Sequence, residues 1–384
     1  MAILLTGIDG YMGWPAALRL SKEFPDEKII GVDNLARRGW VEEGNSTSMV
    51  PIENMEKRVE KAKEKGYDNI IFEKGDLVDQ DFVYDIVKKY EPKTILHLAA
   101  QPSAPYSQKD GKHAHYTQKN DVLSTVNLMW ALRDNNMDDA HFIETTTTGV
   151  YGAPDLQIPE GFIKAVDRKG REDEIPYPCM AGSWYHVTKG FDAINMRLFN
   201  NQTGITSTDL RTSIVYGLET EETKEDEAFK TRFDIDFYFG TLFNRWTSMA
   251  VVGYPLTVYG TGNQIKPFIH LEDCTESLVN AVKKIDSDGK LRVLNQTTED
   301  ITIKTLAEQI KKSASKVLNN DVEIKHIENP RKESEDKEYH FDREKFMKLL
   351  GKQKYTMESS MSEVLENLNK HKGTIDKYKE TFLK

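Results

Sequence analysis

The chain has 384 residues, 38% hydrophobic and 30% charged, which suits a globular protein with a sizeable core, and no apolar run reaches the roughly 18 residues of a membrane span. The net charge of -10 argues against non-specific binding to nucleic acid, because a polyanion would be repelled. Two cysteines, Cys179 and Cys274, are too few for a disulfide framework or a metal cluster, so we expect no bound metal and a reducing, cytoplasmic compartment.

Short apolar runs alternate with helical stretches over the first 150 residues. The predicted strands are Ala2–Leu5, Lys28–Val32, Asn69–Phe72, Thr94–Leu98 and His141–Thr145. The predicted helices are Tyr11–Lys22, Asn54–Gly66, Phe82–Tyr90 and Val122–Asn135. This alternation predicts the α/β class, with a Rossmann, doubly wound parallel sheet. The charged helix Asn54–Gly66 is expected to be solvated, and the acidic run Glu219–Glu227 to be an exposed loop.

The segment from Thr6 to Gly13 reads TGIDGYMG and joins the first predicted strand to the first predicted helix. Its three glycines allow a tight turn, a close approach of the backbone to a pyrophosphate, and close packing of the helix on the strand. Asp33 ends the second strand, where a carboxylate can accept hydrogen bonds from the ribose hydroxyls of an adenosine. Together these features predict a dinucleotide site, and the negative charge of Asp33 favours NAD over NADP.

Residues around this site complete the predicted cofactor contacts. The full set is Gly7, Asp9, Gly10, Tyr11, Met12, Gly13, Asp33, Asn34, Arg37, Asp76, Leu77, Leu98, Ala99 and Ala100, together with Tyr185 and Lys189. Three alternatives stay open for Arg37 and Arg38, which could pair with a 2′-phosphate, lie on the surface or reach the substrate. Asp76 is predicted either to contact the adenine or to cap the helix that follows.

The chain is therefore predicted to contain two parts that are not separated by a linker. Residues 1–200 are expected to form the NAD-binding Rossmann domain. Residues 201–384 are expected to form mainly a second, smaller α/β domain that binds the substrate, with some segments returning to the Rossmann domain.

A second motif, YHVTK from Tyr185 to Lys189, holds a phenol and an ammonium one helical turn apart. The ammonium, with the positive nicotinamide ring nearby, favours the phenolate and lowers its pKa, so that Tyr185 can remove a proton from a sugar hydroxyl while hydride leaves the same carbon. The fifth strand ends in TTTTGVYG, and Thr147 within it is the predicted hydroxyl partner of Tyr185. Four features follow one another along the chain: the glycine fingerprint, the acidic strand end, the threonine of the fifth strand and the helix with Tyr185 and Lys189. Their combination predicts hydride transfer at a sugar carbon.

In this order the motifs resemble the extended short-chain dehydrogenases, the family of nucleotide-sugar epimerases and dehydratases. More narrowly, the chain resembles the UDP-sulfoquinovose synthase branch over almost its full length, in GIDGYMGW, VDNLARR, QPSAPYS, YTQKN, TRFDIDFYFGTLFNR, YPLTVYGTGNQ and ENPRKESED. The resemblance implies an NAD-dependent reaction through a transient 4-keto sugar, in which UDP-glucose and sulfite give UDP-sulfoquinovose. It implies that Tyr185 is the base at carbon 4, that Lys189 tunes its pKa, and that His186 is an acid/base for carbons 5 and 6. A homodimer is expected by analogy.

The resemblance also implies where the nucleotide sugar binds. The implied substrate contacts are Gln101, Ser103, Tyr106, Arg211, Asn244, Arg245, Thr257, Lys266 and Arg331. The cations at the nucleotide end would clamp the diphosphate, and Lys266 stands where the family usually has an arginine. Neither nucleic acid nor a membrane is expected as a partner.

Departures from the branch keep other functions open. Pro102 stands where the branch usually has an arginine, a natural handle for a sulfite or sulfonate anion, and Val150 replaces a carboxylate. Thr148 and Gly149 fill the positions where ordinary dehydratases have an Asp-Glu pair. A UDP-hexose 4-epimerase that uses the same catalytic residues is therefore the closest alternative. A cofactor-binding regulatory protein without catalysis is a third, which the intact Thr, Tyr and Lys set disfavours.

Overall fold

The structure is a computed structural model that describes residues 2–152, 154, 156–328 and 340–383. The strands are β1 (Ala2–Thr6), β2 (Lys28–Asp33), β3 (Ile70–Lys74), β4 (Thr94–His97), β5 (His141–Thr147), β6 (Phe162–Val166), β7 (Glu172–Pro176), β8 (Thr206–Thr212), β9 (Ile214–Tyr216), β10 (Leu256–Tyr259), β11 (Ile265–His270), β12 (Leu291–Gln296), β13 (Glu299–Thr302) and β14 (Ile324–Ile327). The helices are α1 (Gly13–Glu23), α2 (Ala36–Glu43), α3 (Met55–Glu64), α4 (Gln80–Tyr90), α5 (Ala104–Ser107), α6 (Gly111–Asp134), α7 (Trp184–Thr203), α8 (Leu242–Val252), α9 (Leu271–Lys284), α10 (Ile303–Leu318), α11 (Glu344–Leu349), α12 (Met357–Asn369) and α13 (Lys372–Tyr378).

Seven parallel strands form the central sheet, in the order β12-β8-β5-β4-β1-β2-β3. This order confirms the predicted doubly wound α/β fold, and the five strands predicted from the sequence are all present. The strand order reverses between β1 and β4, so the carboxyl ends of these strands border a crevice in which ligands of such folds bind. Every residue of β1 and β4 is buried, because helices cover both faces of the sheet.

The second half of the chain contributes to the same sheet and to smaller ones. Strands β8 and β12 lie beyond residue 200 and extend the central sheet next to β5. Strands β9, β11 and β13 form a three-stranded sheet, β10 pairs with β14, and β6 with β7 makes a hairpin. Helices α8, α10 and α12 pack together around a separate hydrophobic cluster. The division at residue 200 stays a prediction.

Two expectations about charged segments hold only in part. Helix α3 forms as predicted and its glutamates are exposed, but its Arg58 is completely buried, with Nη1 3.0 Å from Asp9 Oδ1. The acidic run is not simply an exposed loop, since Glu222 within it is only 4% exposed. The Arg19 guanidinium lies 2.7 Å from Glu222 and 2.8 Å from Glu272, and this ion pairing explains how both carboxylates are buried.

The described residues include neither a membrane-spanning helix nor a cluster of metal ligands. None of their helices combines the length and the apolar composition needed to cross a membrane. The same ranges contain no group of three or more His, Cys, Asp or Glu side chains arranged to hold a metal ion.

Candidate active site

The glycine loop between β1 and α1 has the geometry that a dinucleotide diphosphate requires. Gly7 adopts φ +78°, and a Cβ atom there would lie 2.9 Å from the Ala99 backbone nitrogen. A Cβ atom on Gly13 would lie 2.0 Å from the Gly7 carbonyl oxygen, so the first turn of α1 approaches the strand end only because both are glycine. The positive end of the α1 dipole thereby lies against the loop, and these residues fit a bound diphosphate.

Asp33 at the end of β2 is the acidic group of the site. Its carboxylate accepts hydrogen bonds from the backbone N–H groups of Asp9 (2.9 Å) and Leu35 (2.7 Å). Burial raises the pKa of Asp33 to about 6 and outweighs these two bonds. The carboxylate is therefore ionised above that pH and suited to the ribose hydroxyls of an adenosine.

Arg37 and Arg38, for which three alternatives were open, are both engaged in ion pairs within the protein. Arg37 Nη2 lies 2.7 Å from Asp234 Oδ2, and its guanidinium stacks 3.8 Å from the centroid of the Phe239 ring. Arg38 bonds both oxygens of Asp9 at 2.8 Å. Because both guanidinium groups are already paired with carboxylates, neither offers an unpaired charge to the 2′-phosphate of NADP. The arrangement therefore agrees with NAD rather than NADP.

The other predicted cofactor residues border the same crevice. The Tyr11 hydroxyl donates to the Gly217 carbonyl oxygen, and Met12 packs its sulfur 3.6 Å from that of Cys274. Leu98, Ala99 and Ala100 follow β4 directly, where the Leu98 N–H donates to the Thr6 carbonyl oxygen at 3.2 Å. These residues thus line the switch point between β1 and β4, and their contacts with the cofactor stay predictions.

Asn34, Asp76 and Leu77 lie at the ends of β2 and β3. Asn34 Nδ2 donates to Asp76 Oδ2 at 3.3 Å, and Asp76 Oδ1 accepts from the Val78 N–H at 2.9 Å. The alternative in which Asp76 caps the next helix was wrong, because Asp79 is the N-cap of α4. Contact between Asp76 and the adenine stays a prediction.

The first turn of α7 is fixed from both sides, which determines where Tyr185 and His186 lie. Ser183 Oγ accepts from the His186 N–H at 3.1 Å as the N-cap, and the Tyr185 N–H donates to Ser107 Oγ at 3.1 Å. The His186 imidazole packs against Gly149, where a Cβ atom would lie 2.4 Å from its Nε2. Since Gly149 in turn donates to Thr147 Oγ1 at 3.1 Å, the structure brings His186 to the end of β5.

Lys189 is buried among carboxyl groups rather than exposed beside the phenol. Its Nζ lies 2.9 Å from Glu144 Oε1 and 3.1 Å from Asp192 Oδ2. Burial raises the pKa of Tyr185 to about 12; Lys189 acts in the opposite direction, as predicted, but nearby carboxylates raise the pKa further. Among the protein's own groups the lowering by Lys189 is outweighed by burial, and the further lowering expected from a nicotinamide ring stays a prediction.

Three predicted substrate contacts hold the loop after β4 in shape. The side-chain oxygen of Gln101 accepts from the Ser103 N–H at 2.6 Å, and Ser103 Oγ donates to the Tyr238 carbonyl oxygen. The Tyr106 hydroxyl donates to Glu43 at 2.7 Å. These bonds give the three side chains structural partners, and their contacts with a sugar stay predictions.

Arg211 and Asn244 are also buried. Arg211 Nε lies 3.1 Å from Asp209 Oδ2, and its guanidinium stacks 4.5 Å from the centroid of the Tyr151 ring. Asn244 Nδ2 donates to the Asp234 carbonyl oxygen at 3.3 Å, whereas its Oδ1 has no hydrogen-bond donor among the described residues. An acceptor of this kind is available to a ligand donor.

Three of the remaining substrate residues lie on separate elements of the second half. Arg245 follows Asn244 in α8 and donates to the Phe382 carbonyl oxygen at 3.3 Å. Thr257 lies in β10 and Lys266 in β11. The fourth, Arg331, lies outside the described residues. The roles of all four stay predictions.

Arg232 is a residue of this site that the sequence analysis missed. It is 4% exposed, and its charge acts on Asp33 to lower the carboxyl pKa. The preceding Thr231 donates to the Tyr11 carbonyl oxygen at 3.0 Å, which ties this segment to the glycine loop. The string TRFDIDFYFGTLFNR was part of the family resemblance, but nothing local to it indicates proximity to a strand end 200 residues away in the chain.

Comparisons with known proteins place the chain in a family. The sequence matches the NAD dependent epimerase/dehydratase family over residues 3–295. The chain belongs to this family. It is an enzyme family whose cofactor is NAD, so the predicted enzyme class and cofactor are confirmed.

Full-length relatives narrow the similarity. The chain is 38% identical over 383 residues to UDP-sulfoquinovose synthase of Sulfolobus acidocaldarius, covering 100% of this chain and 96% of that protein. It is 36% identical over 374 residues to the chloroplastic UDP-sulfoquinovose synthase of Spinacia oleracea, covering 97% and 77%. The UDP-glucose 4-epimerase of Bifidobacterium longum, solved with NAD+ and UDP, has the same fold, with a TM-score of 0.71 at 17% identity over 96% of this chain and 99% of that one. The predicted resemblance is confirmed.

Proposed function

We propose that the protein is a UDP-sulfoquinovose synthase, which makes UDP-sulfoquinovose from UDP-glucose and sulfite. The observation that carries this proposal is the identity of 38% and 36% to two such synthases over nearly the whole chain. The Tyr185–Lys189 pair in α7 and the glycine loop supply the machinery that the reaction needs.

The roles of the side chains follow from their chemistry. Bound NAD supplies a hydride acceptor and donor for carbon 4 of the hexose. Tyr185 takes the proton of the carbon 4 hydroxyl and later returns it, and Thr147 donates a hydrogen bond to the same oxygen. The resulting ketone acidifies the proton on carbon 5, and His186 at the end of β5 is the group we assign to proton transfer at carbons 5 and 6. Loss of the carbon 5 proton and of the carbon 6 hydroxyl, as water, gives an unsaturated ketone. Sulfite adds to it at carbon 6 while carbon 5 is reprotonated, and return of the hydride and of the Tyr185 proton restores the hydroxyl at carbon 4.

The cofactor is held, in this proposal, by residues of both halves of the chain. The glycine loop and the positive end of the α1 dipole bind the diphosphate, and Asp33 accepts from the adenosine ribose. Arg232 adds a buried positive charge beside Asp33 and the glycine loop. For the substrate, we assign Asn244 through its buried Oδ1, and Lys266 as a cation at the diphosphate. The first 200 residues then serve mainly the cofactor and the remainder mainly the sugar nucleotide.

A UDP-hexose 4-epimerase is the second candidate, and a specific observation favours it. Pro102 offers no cation for sulfite where the branch has an arginine. The test is mass spectrometry of the purified protein with NAD and UDP-glucose, with and without sulfite. A sulfonated nucleotide sugar that requires sulfite supports the synthase, whereas an isobaric UDP-hexose of changed retention, formed equally without sulfite, supports the epimerase. Absence of any conversion under both conditions would refute UDP-glucose as the substrate.

A homodimer is part of the proposal, because helices α6 and α7 pack side by side and share an exposed apolar surface. Its large side chains, each more than 40% exposed, are Leu123, Trp130, Trp184, Phe191, Ile194 and Leu198. Two copies joined through this surface would bury it in a four-helix arrangement. Light scattering should give twice the chain mass for the wild type and the chain mass for Ile194→Lys; a wild-type monomer would contradict the dimer. We propose the cytoplasm as the compartment, since neither cysteine is in a disulfide.

A further inference from the structure

The surroundings of Lys189 contain more acidic groups than its proposed role requires. The ammonium lies 2.9 Å from Glu144 Oε1 in β5 and 3.1 Å from Asp192 Oδ2, one turn further along α7. The side chain of Lys189 is 2% exposed and those of Glu144 and Asp192 are 0% exposed. Asp121 of α6, which is also buried, faces the same ammonium. Three strictly buried carboxyl groups thus converge on one cation.

The charges of this cluster do not balance if every group is ionised. One ammonium would then face three carboxylates without water around them. His97, a basic group beside Lys189, does not help, because burial and the nearby ammonium hold the pKa of its imidazole well below the usual range. Burying net negative charge is unfavourable, since the lost hydration is not replaced. The cluster therefore binds at least one proton at neutral pH.

The hydrogen bonds indicate which carboxyl groups hold that proton. Asp121 accepts from the Gln101 N–H at 2.8 Å and from the Thr188 hydroxyl at 3.1 Å, and such bonds favour its ionised form. In contrast, Glu144 Oε2 and Asp192 Oδ1 have no hydrogen-bond partner among the described residues, and Asp192 Oδ2 is engaged in the ion pair with Lys189. A proton shared between Glu144 and Asp192 makes one carboxyl group a hydrogen-bond donor to the other. Burial and the neighbouring Glu144 also raise the pKa of Asp192 well above its usual range.

We propose that Glu144 and Asp192 share one proton and act as positioning residues for Lys189, so that the charge of this acid pair controls how readily Tyr185 forms its phenolate. The inference rests on the proposed role of Tyr185 as the base. Each negative charge on the pair offsets the ammonium and makes a second negative charge, on the phenolate, less favourable. Neither Glu144 nor Asp192 touches the substrate in this scheme; both act through Lys189.

The sign of the effect on Tyr185 follows from the groups that face it. These are Lys189 and Asp192 on its own helix, Asp121 from α6, Glu144 from β5, and the His186 ring, whose centroid lies 5.3 Å away. Only Lys189 favours the phenolate; the carboxylates oppose it. With the proton shared, the pair carries one negative charge. A single amide at Glu144 or Asp192 keeps that charge, because the remaining carboxyl group ionises. Glu144→Gln combined with Asp192→Asn removes the charge and must lower the pKa of Tyr185. The acid limb of the kcat profile should then move to lower pH, by about one unit.

Infrared spectroscopy tests the shared proton without any substrate. At pH 7 the wild type minus Asp192→Asn difference spectrum should contain the C=O band of a protonated carboxyl group, shifted in D2O, and so should the difference with Glu144→Gln. The matched control is Asp273→Asn, whose carboxylate is buried elsewhere and accepts from the Lys354 N–H at 2.9 Å. If neither difference spectrum contains this band, the proposal is overturned, whatever the substrate proves to be.

The pH profile then tests the link to Tyr185. If the wild type turns over, the double variant Glu144→Gln/Asp192→Asn should show the shifted acid limb, with the NAD dissociation constant within about twofold of wild type. The two single amide variants and Asp273→Asn should keep the position of the wild-type limb. An unshifted limb in the double variant, with lower kcat, would show that the acid pair is merely structural. Circular dichroism checks the fold, and either single variant is sufficient for the infrared test if the other does not fold.

Discussion

NAD binding should weaken steeply below pH 6, because a proton on Asp33 competes with the cofactor. The pKa of this carboxyl is raised to about 6, first by burial and also by the neighbouring Asp9 carboxylate, while the Leu35 N–H and the Arg232 cation oppose the rise. The ribose hydroxyls bond best to the ionised form, so the apparent dissociation constant grows by the factor 1 + 10^(pKa − pH). Relative to pH 8, that factor is about twofold at pH 6 and about tenfold at pH 5.

Isothermal titration of the NAD-free protein with NAD at pH 8, 7, 6 and 5, at constant ionic strength, measures this profile. Circular dichroism at each pH shows that the fold persists. The matched control is Asp33→Asn, which should bind NAD more weakly and with the same affinity at every pH. A flat wild-type profile, or one parallel to that of Asp33→Asn, would refute the assignment of Asp33 to the ribose.

Three substitutions test other parts of the structure. Tyr185→Phe should lower kcat by about 10^3-fold with NAD affinity unchanged, because only the proton transfer is lost; an equal loss of NAD binding in calorimetry would contradict its role as base. Gly13→Ala should give a folded protein that does not retain NAD on gel filtration, since its Cβ atom would lie 2.0 Å from the Gly7 carbonyl oxygen; an NAD-loaded variant would show that the loop tolerates the atom. Arg19→Met leaves the buried Glu222 carboxylate without its guanidinium and should lower the free energy of unfolding by about 3–5 kcal/mol in urea titrations; a loss below about 1 kcal/mol would mean that the ion pair is not stabilising.

Much of the fold was predictable because it depends on local patterns. The alternation of short apolar runs with helical stretches gave the five strands of the first half, each within two residues of its observed bounds. The glycine spacing from Gly7 to Gly13 reports a backbone requirement that any protein with this turn must meet. The spacing of Tyr185 and Lys189 is one helical turn, and both residues do lie in α7. Signals of this kind need no knowledge of the rest of the chain.

Burial and charge pairing, in contrast, depend on residues that are distant in sequence. Nothing local to Glu222 distinguishes it from the exposed acidic residues around it. Its partner in the buried ion pair, Arg19, lies 203 residues away in the chain. Arg37 follows β2, where an arginine can bind a 2′-phosphate. Its ion pair with Asp234, far along the chain, neutralises the guanidinium and argues against that role. The direction of the pKa shift of Tyr185 also depends on residues that are distant in sequence. The motif contains the lysine that lowers it, but the burial and the carboxylates that raise it come from the packing of α6, α7 and β5 against one another.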